Sequence, residues 1–201
     1  MQTPDDYKDL QILGANVQVI MSGFGSFTLL ASKILLESGL GKIDDEGVGM
    51  AVLDANQWYP LDRFLRAFHR IAAEFGDYTL RQAGSHINKV AVAPPAFWKD
   101  IVSAFQTIDA GYHMNHGKDG KPLFDPSSGK MDEGIGHMTY KPGTKPKQFF
   151  MECDTPYPCA FDEGIVQGLS QRFEPTSTVM HDRKSCRKRG DASCLYHINW
   201  K

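Results

Sequence analysis

The strongest constraint on the fold is a stripe of apolar side chains between residues 56 and 76. Leu61, Phe64, Leu65, Phe68, Ile71, Ala72 and Phe75 recur at intervals of three and four. That spacing puts them on one face of an α-helix and requires a second surface to bury them. Pro60 suits the first turn of this helix. His69 lies beside the stripe and reads as a surface histidine. Asp77 is placed to cap a further helix over 78–87, which turns Leu80, Ala83, Gly84 and Ile87 inward. Other helices are predicted over 27–38, ended by Gly39, and from Pro94-Pro95 through Phe97, Ile101, Ala104 and Phe105 to Ile108. Residues 10–20 carry Ile12, Val17, Val19 and Ile20 and read as a short strand. Ser22-Gly23-Phe24-Gly25-Ser26 follows as a turn, because it lacks the third glycine and the Lys-Ser/Thr end of the phosphate loops.

The second half changes period. Residues 109–116 read as extended, with 134–140 as their hairpin partner and 117–133 as a mobile loop rich in Gly, Lys, Asp, Pro and Ser. Residues 147–154 alternate and place Phe149, Met151 and Cys153 on one face. A helix is predicted over 161–173, and strands over 176–181 and 194–200, the latter with Cys194, Tyr196, Ile198 and Trp200 on one face. Helices first and an antiparallel sheet second make an α+β fold, with the helical N-terminal half packed on a sheet from the C-terminal half. The 201 residues are read as one domain, with 1–9 as a loose tail.

A net charge of -2 gives no reason to expect nucleic acid or an anionic membrane as partner. The acidic, polar start lacks the basic and apolar regions of a signal peptide. The uncharged run over 10–32 is interrupted by Gln11, Asn16, Gln18, Gly23 and Gly25, so no membrane span is expected. The expected setting is a reducing cytoplasm.

That setting matters for the cysteines, since all four of them, Cys153, Cys159, Cys186 and Cys194, lie within residues 153–194. Cys186 and Cys194 flank Gly190, which suits two strands joined by a tight turn, and Cys159 heads a helix whose positive end favours a thiolate. Three thiolates with a fourth donor from Cys153, His181 or Asp182 make a tetrahedral zinc set. Buried free thiols and a disulfide are the other readings of the same residues. Lys184, Arg187, Lys188 and Arg189 form a basic group read as a solvated turn over these thiols.

The run Cys186-Arg-Lys-Arg-Gly-Asp-Ala-Ser-Cys194 before a strand, with Cys159 at the head of a helix upstream, resembles the end of the 4-vinyl reductase domain. The resemblance covers about 45 residues, and upstream only the order of helices agrees. It implies an α+β small-molecule-binding domain, often dimeric, with a structural zinc near an apolar pocket. The fold of that family is similar to vesicle-tethering-complex subunits and, more distantly, to haem nitric-oxide sensors. The family's zinc cysteines map onto Cys159, Cys186 and Cys194. Arg183 stands where the family has an acidic ligand, so His181 or Asp182 would have to replace it. The implied pocket draws on Phe64, Phe68, Phe97, Trp98 and Phe105 and takes a small apolar or aromatic ligand. A homodimer is the expected assembly.

The remaining candidates are histidines. His113, His116 and His137 would meet across the proposed hairpin, with Asp109, Asp132 or Glu133 nearby, as a metal site or an acid–base pair. Strand alternation would put His113 and His116 on opposite faces, which argues against one shared site. His86, among Leu80, Ala83 and Ile87, is the candidate for an iron ligand, but haem is not expected. The chain has no nucleophile elbow, dinucleotide fingerprint or HExxH helix. The reading is therefore a binding or sensing domain with a structural zinc. The alternatives are a metal-dependent enzyme using His113, His116 and His137, or a dimeric scaffold.

Overall fold

The computed structural model describes residues 3–91 and 98–201. After a 3-10 turn at Pro4–Tyr7 come β1 (Gln11–Leu13), α1 (Gly14–Ser22), α2 (Thr28–Glu37), β2 (Lys42–Ile43), β3 (Ala51–Val52) and β4 (Trp58–Pro60). There follow α3 (Leu61–Val90), α4 (Ile101–Met114), β5 (His116–Lys118), β6 (Lys121–Pro122), β7 (Phe124–Asp125) and β8 (Lys130–Met131). The chain closes with β9 (Met138–Pro142), β10 (Gln148–Cys153), α5 (Cys159–Phe173), β11 (Thr178–His181) and β12 (Cys194–Asn199). The fold is α+β, as the sequence predicts.

The apolar stripe builds α3. Leu61, Phe64, Leu65, Phe68 and Ile71 are all wholly buried. The two helices predicted here are one element bent at Gly76, whose φ of 74° only glycine adopts at no cost. Residues 10–20 are a strand only as far as Leu13. Beyond it, Val17, Ile20 and Met21 at spacings of three and four form the buried face of α1. The supposed tail is tied down: Tyr7 is 2% exposed and Asp5 pairs with Arg66 at 2.7 Å. The segment 117–133, predicted as a mobile loop, contains β6, β7 and β8.

The largest departure is at residues 109–116. They do not pair with 134–140; residues 109–114 continue α4. Asp100 and Ser103 form a capping box at its start, with Ser103 donating its backbone N–H to Asp100 Oδ1 at 2.7 Å. The apolar positions 101, 104, 105, 108 and 112 carry the helix on to Met114. His113 is therefore helical and His116 begins β5, which pairs with β1.

The main sheet runs β11-β12-β10-β9, antiparallel throughout. Phe149, Met151 and Cys153 oppose Ile198, Tyr196 and Cys194 on its buried face, as their alternation predicts. Ile101, Ala104 and Phe105 of α4 with Val166 and Leu169 of α5 cover this face and make one core. A second core joins α1, α2 and α3 to Tyr157, Ala160 and Phe161. Helix α5 is the wall between the two.

Helices α3 and α5 interlock at glycines. A Cβ on Gly84 would lie 2.2 Å from the Phe161 carbonyl oxygen, and one on Gly164 2.2 Å from that of Arg81. Because backbone rather than a flexible side chain blocks the space, Gly84→Ala is expected to cost about 1–3 kcal/mol in denaturant unfolding. A loss below about 0.5 kcal/mol would mean that the helices are free to move apart. Among the described residues no single helix is long and apolar enough to cross a membrane; α1 with residues 25–37 passes that test only as a pair bent by 115°.

Candidate functional site

Helix α4 carries one of two described histidines, His113 and His181, whose Nε2 is buried without a hydrogen-bond partner. His113 is wholly buried near its C-terminal end. Its Nδ1 lies 2.9 Å from the backbone oxygen of Asp109, one turn earlier, and donates to it. Its Nε2 is buried without a hydrogen-bond partner. A buried imidazole with one nitrogen fixed and the other unsatisfied costs free energy unless something binds there.

The carboxylate of Asp109 gathers further groups. Oδ1 lies 3.5 Å from His113 Nδ1 and accepts the Met138 backbone N–H at 2.8 Å. Oδ2 lies 2.9 Å from His137 Nδ1, and His137 Nε2 lies 2.8 Å from Glu133 Oε2. One donor atom each from Asp109, His113 and His137 lies within 4.8 Å of the others. Partial burial opposes ionisation of Asp109, but hydrogen bonds from His113 and His137 hold its carboxyl below the usual range. For His137, burial pulls down and the two carboxylates pull up; they prevail, so the imidazolium is favoured.

His116 does not join this group. Its Nδ1 bonds the Tyr112 carbonyl at 2.8 Å and its Nε2 the Tyr157 hydroxyl at 2.6 Å. Burial pushes it down to about 4, so it is neutral at physiological pH. The structure thus brings His113 and His137 together with Asp109 and Glu133 and leaves His116 in the core. His86 faces the other way, 3.0 Å from the Ser22 hydroxyl. His69 is exposed beside the Pro156 carbonyl.

Between α3, α4 and α5 lies a layer of aromatic rings. Tyr112 meets His116 at 4.6 Å and Tyr157 at 6.4 Å. Tyr157 meets Phe68 at 5.8 Å and Phe161 at 5.4 Å, and Phe68 meets Phe161 at 4.8 Å, mostly edge to face. The proposed pocket does not have its predicted lining. Phe64 and Phe68 belong to the core of α3, whereas Trp98 and Phe105 belong to the sheet core; Phe97 lies outside the described residues. Two concavities, of about 420 and 220 Å³, are surface depressions: one by Pro60 and residues 8–11 and 118–119, the other between His137, Thr139, Glu152 and Asp154.

The cysteines converge in part. The sulfurs of Cys159 and Cys194 are 3.2 Å apart, and Cys186 Sγ lies within 4.8 Å of both. Cys194 is pushed down by that shared hydrogen bond and by Arg187, and Cys159 is pushed up. Cys153 pairs with Cys194 across the sheet but is not one of this group. His181 rests on the Tyr196 ring, and Asp182 pairs with His197 at 3.1 Å. Arg187 is not a solvated member of a basic patch. Its guanidinium reaches inward to Asp162, whose side chain is 1% exposed, and to Thr155.

Neither a family model nor a curated protein matches the sequence. Solved structures do. An H-NOX protein from S. oneidensis in the Fe(II)NO ligation state superposes with a TM-score of 0.63 at 12% identity, covering 94% of this chain and 99% of that one. A structure described as a study of haem redox potential and porphyrin distortion gives 0.60 at 14% identity, covering 94% and 100%. Another, on the mechanism of H-NOX activation, gives 0.60 at 16% identity, covering 94% and 97%. These findings correct the family reading, because the similar structures are H-NOX proteins and not 4-vinyl reductase domains. They correct the cofactor expectation with it: structural zinc, read from the grouping of the cysteines and implied again by that resemblance, is not what these neighbours are described with; the group named for them is iron or haem, which the sequence reading had set aside. The short Cys186-to-Cys194 signature spans a 3-10 turn and only the first residue of β12, too little to identify a family. At 12–16% identity over nearly its whole length, this chain has the fold of the H-NOX proteins.

Proposed function

We propose that this chain is a small-molecule-sensing domain in which haem is the prosthetic group and His113 the iron ligand. The observation that carries the reading is the orphaned Nε2 of His113. A neutral imidazole whose Nδ1–H is held by a carbonyl leaves the Nε2 lone pair free for a metal. The fold supports the same reading, since its solved neighbours are described by iron and haem. Bound iron would supply a coordination position for a small ligand. His113 would bind and orient it, and the aromatic layer would exclude water.

An imidazole is the right kind of donor for haem iron, but His113 is wholly buried and the residues as placed leave no room for a macrocycle at it. Tyr157, Phe68 and Phe161 fill the space between α3 and α5, so insertion of a macrocycle requires these rings to part. Slow uptake by the folded protein and faster uptake during folding are therefore expected.

The test is expression with haem supplied, followed by absorption spectra of the oxidised, reduced and carbon-monoxide forms. An equimolar complex is expected. His113→Gly should weaken retention about tenfold or more, and added imidazole should restore the reduced spectrum. A wild-type protein that yields only the spectrum of free hemin defeats the proposal, as does a His113→Gly protein that binds as tightly as wild type.

A further inference from the structure

Helix α2 is apolar on both faces. Ala31, Ile34 and Leu35 are buried in the helical core, yet Leu29 is 45% exposed and Leu30 53%. Lys33 and Glu37 are its only charged residues. A helix at a free surface carries polar side chains outward, whereas one that is apolar all round is covered on all sides. The neighbouring segments continue the exposure. Phe27, just before the helix, is 42% exposed and stacks on Phe75 at 5.1 Å; in the β2–β3 hairpin Val48 is 58% and Val52 53% exposed. Among the described residues ten large apolar side chains are exposed, and six of them lie between residues 27 and 52, so the exposure is concentrated and not scattered. Helix and hairpin make one surface. A Cβ on Gly49 would lie 3.7 Å from Leu29 Cδ1, and the Ser32 hydroxyl meets the Met50 sulfur at 3.8 Å. Met50 and Val52 alternate to the same side of the hairpin, while Ile43, opposite Ala51, falls on the other side.

We propose that the face made by Phe27, Leu29, Leu30, Val48 and Val52 docks a second copy of this chain about a two-fold axis. The five side chains expose roughly 500 Å² together, at the upper end of what a monomer leaves open in one patch. Two copies would cover about 1,000 Å², the threshold of a specific interface, before half-buried Leu36 and Met50 add to it. Charge selects the occupant. Residues 27–52 hold Lys33 and Lys42 against Glu37, Asp44, Asp45 and Glu46, which gives an anionic bilayer nothing to attract. Glu37 is held by Arg70 at 2.6 Å, and Asp44 accepts backbone N–H groups of its own turn, which leaves Asp45 and Glu46 at the exposed end of the hairpin. Lys33 stands on the helix with 71% of its side chain exposed and only a 4.0 Å contact to Glu37. In a two-fold interface each place on the patch meets a different place on the other copy. Lys33 of each copy then faces the acidic turn of the other, and the patch is complementary to itself.

The experiment is sedimentation velocity of the purified chain over a concentration series. Wild type is expected to pass from monomer to dimer at roughly 1–100 µM, as suits an interface of small area. Leu30→Arg and Val48→Asp alter outward side chains, so each should weaken association about tenfold or more while thermal unfolding of the dilute monomer stays unchanged. Lys33→Glu should weaken it about tenfold, and Lys33→Glu combined with Asp45→Lys and Glu46→Lys should recover most of that loss. A wild type that stays monomeric to roughly 500 µM, or a dimer that either Leu30→Arg or Val48→Asp leaves intact, overturns the proposal. A charge exchange that restores nothing overturns the two-fold arrangement and the proposal with it. Co-sedimentation with phosphatidylcholine–phosphatidylserine vesicles tests the other occupant: binding of wild type that Leu30→Arg abolishes would assign the face to lipid instead. Association needs no haem, so its failure leaves the haem reading untouched.

Discussion

Arg187→Ala is expected to lower stability by about 3–5 kcal/mol, the loss typical of a buried ion pair broken from one side. The Arg187 side chain is 15% exposed and Asp162 1%. Asp162 Oδ2 also accepts the Thr155 hydroxyl at 2.8 Å, but its Oδ1 has no hydrogen-bond partner. Without the guanidinium the carboxylate keeps one neutral donor and no countercharge. It must then be protonated or left charged in a dry core, and both cost free energy. Burial already pushes Asp162 up to about 6 against the pull of Arg187. Its ordinary value is 3.8, so between the two the folded state holds more protons than the unfolded one. Stability from this group therefore falls as pH rises through that window. In the variant the countercharge is gone and the window extends upward. The deficit of Arg187→Ala against wild type should thus be larger at about pH 8 than at about pH 5, by urea unfolding at each pH. A deficit that is equal at both pH values, or below about 1 kcal/mol, would mean that Asp162 is hydrated through another route.

Phe68→Ala is expected to cost a similar amount, about 3–5 kcal/mol. Phe68 is wholly buried, and its ring lies 4.8 to 6.1 Å from those of Phe161, Phe64, Tyr157 and Phe24. Removal of a ring from this layer loses both the transfer free energy of the side chain and the contacts of four neighbours. Because the surrounding groups are aromatic, the cavity should stay dry and accept a small apolar molecule. Thermal unfolding with and without benzene measures both effects: a lower transition in the variant, partly restored by benzene, and no benzene effect on wild type. In the haem reading the same variant should load haem faster, since one of the rings that must part is gone. A variant as stable as wild type would show that the layer collapses onto the vacancy without loss.

Elements whose period is written in local spacing were legible in the chain. The stripe from Leu61 to Phe75 is buried along α3, and the alternation of Phe149, Met151 and Cys153 and of Cys194, Tyr196 and Ile198 forms the inner face of the sheet. The α+β class follows from those patterns, because a stripe and an alternating face each leave few ways to be covered. The cysteine grouping was legible too: a glycine turn folds Cys186 back towards Cys194.

The tertiary structure decided which polar side chains share a neighbourhood. Residues 109–116 lack a strong period, and a capping box at Asp100 outweighed their extended look, so His113 and His116 separated by helix geometry and not by strand alternation. Arg187 reads as one cation among several; it is buried because Asp162, 25 residues away in sequence, lies in reach. The meeting of Asp109 with His137 depends on where β9 begins relative to α4, and no local pattern records that distance. Local propensity and periodicity act over a few residues, whereas the placement of a charge against its partner is set by packing between elements that are distant in the chain.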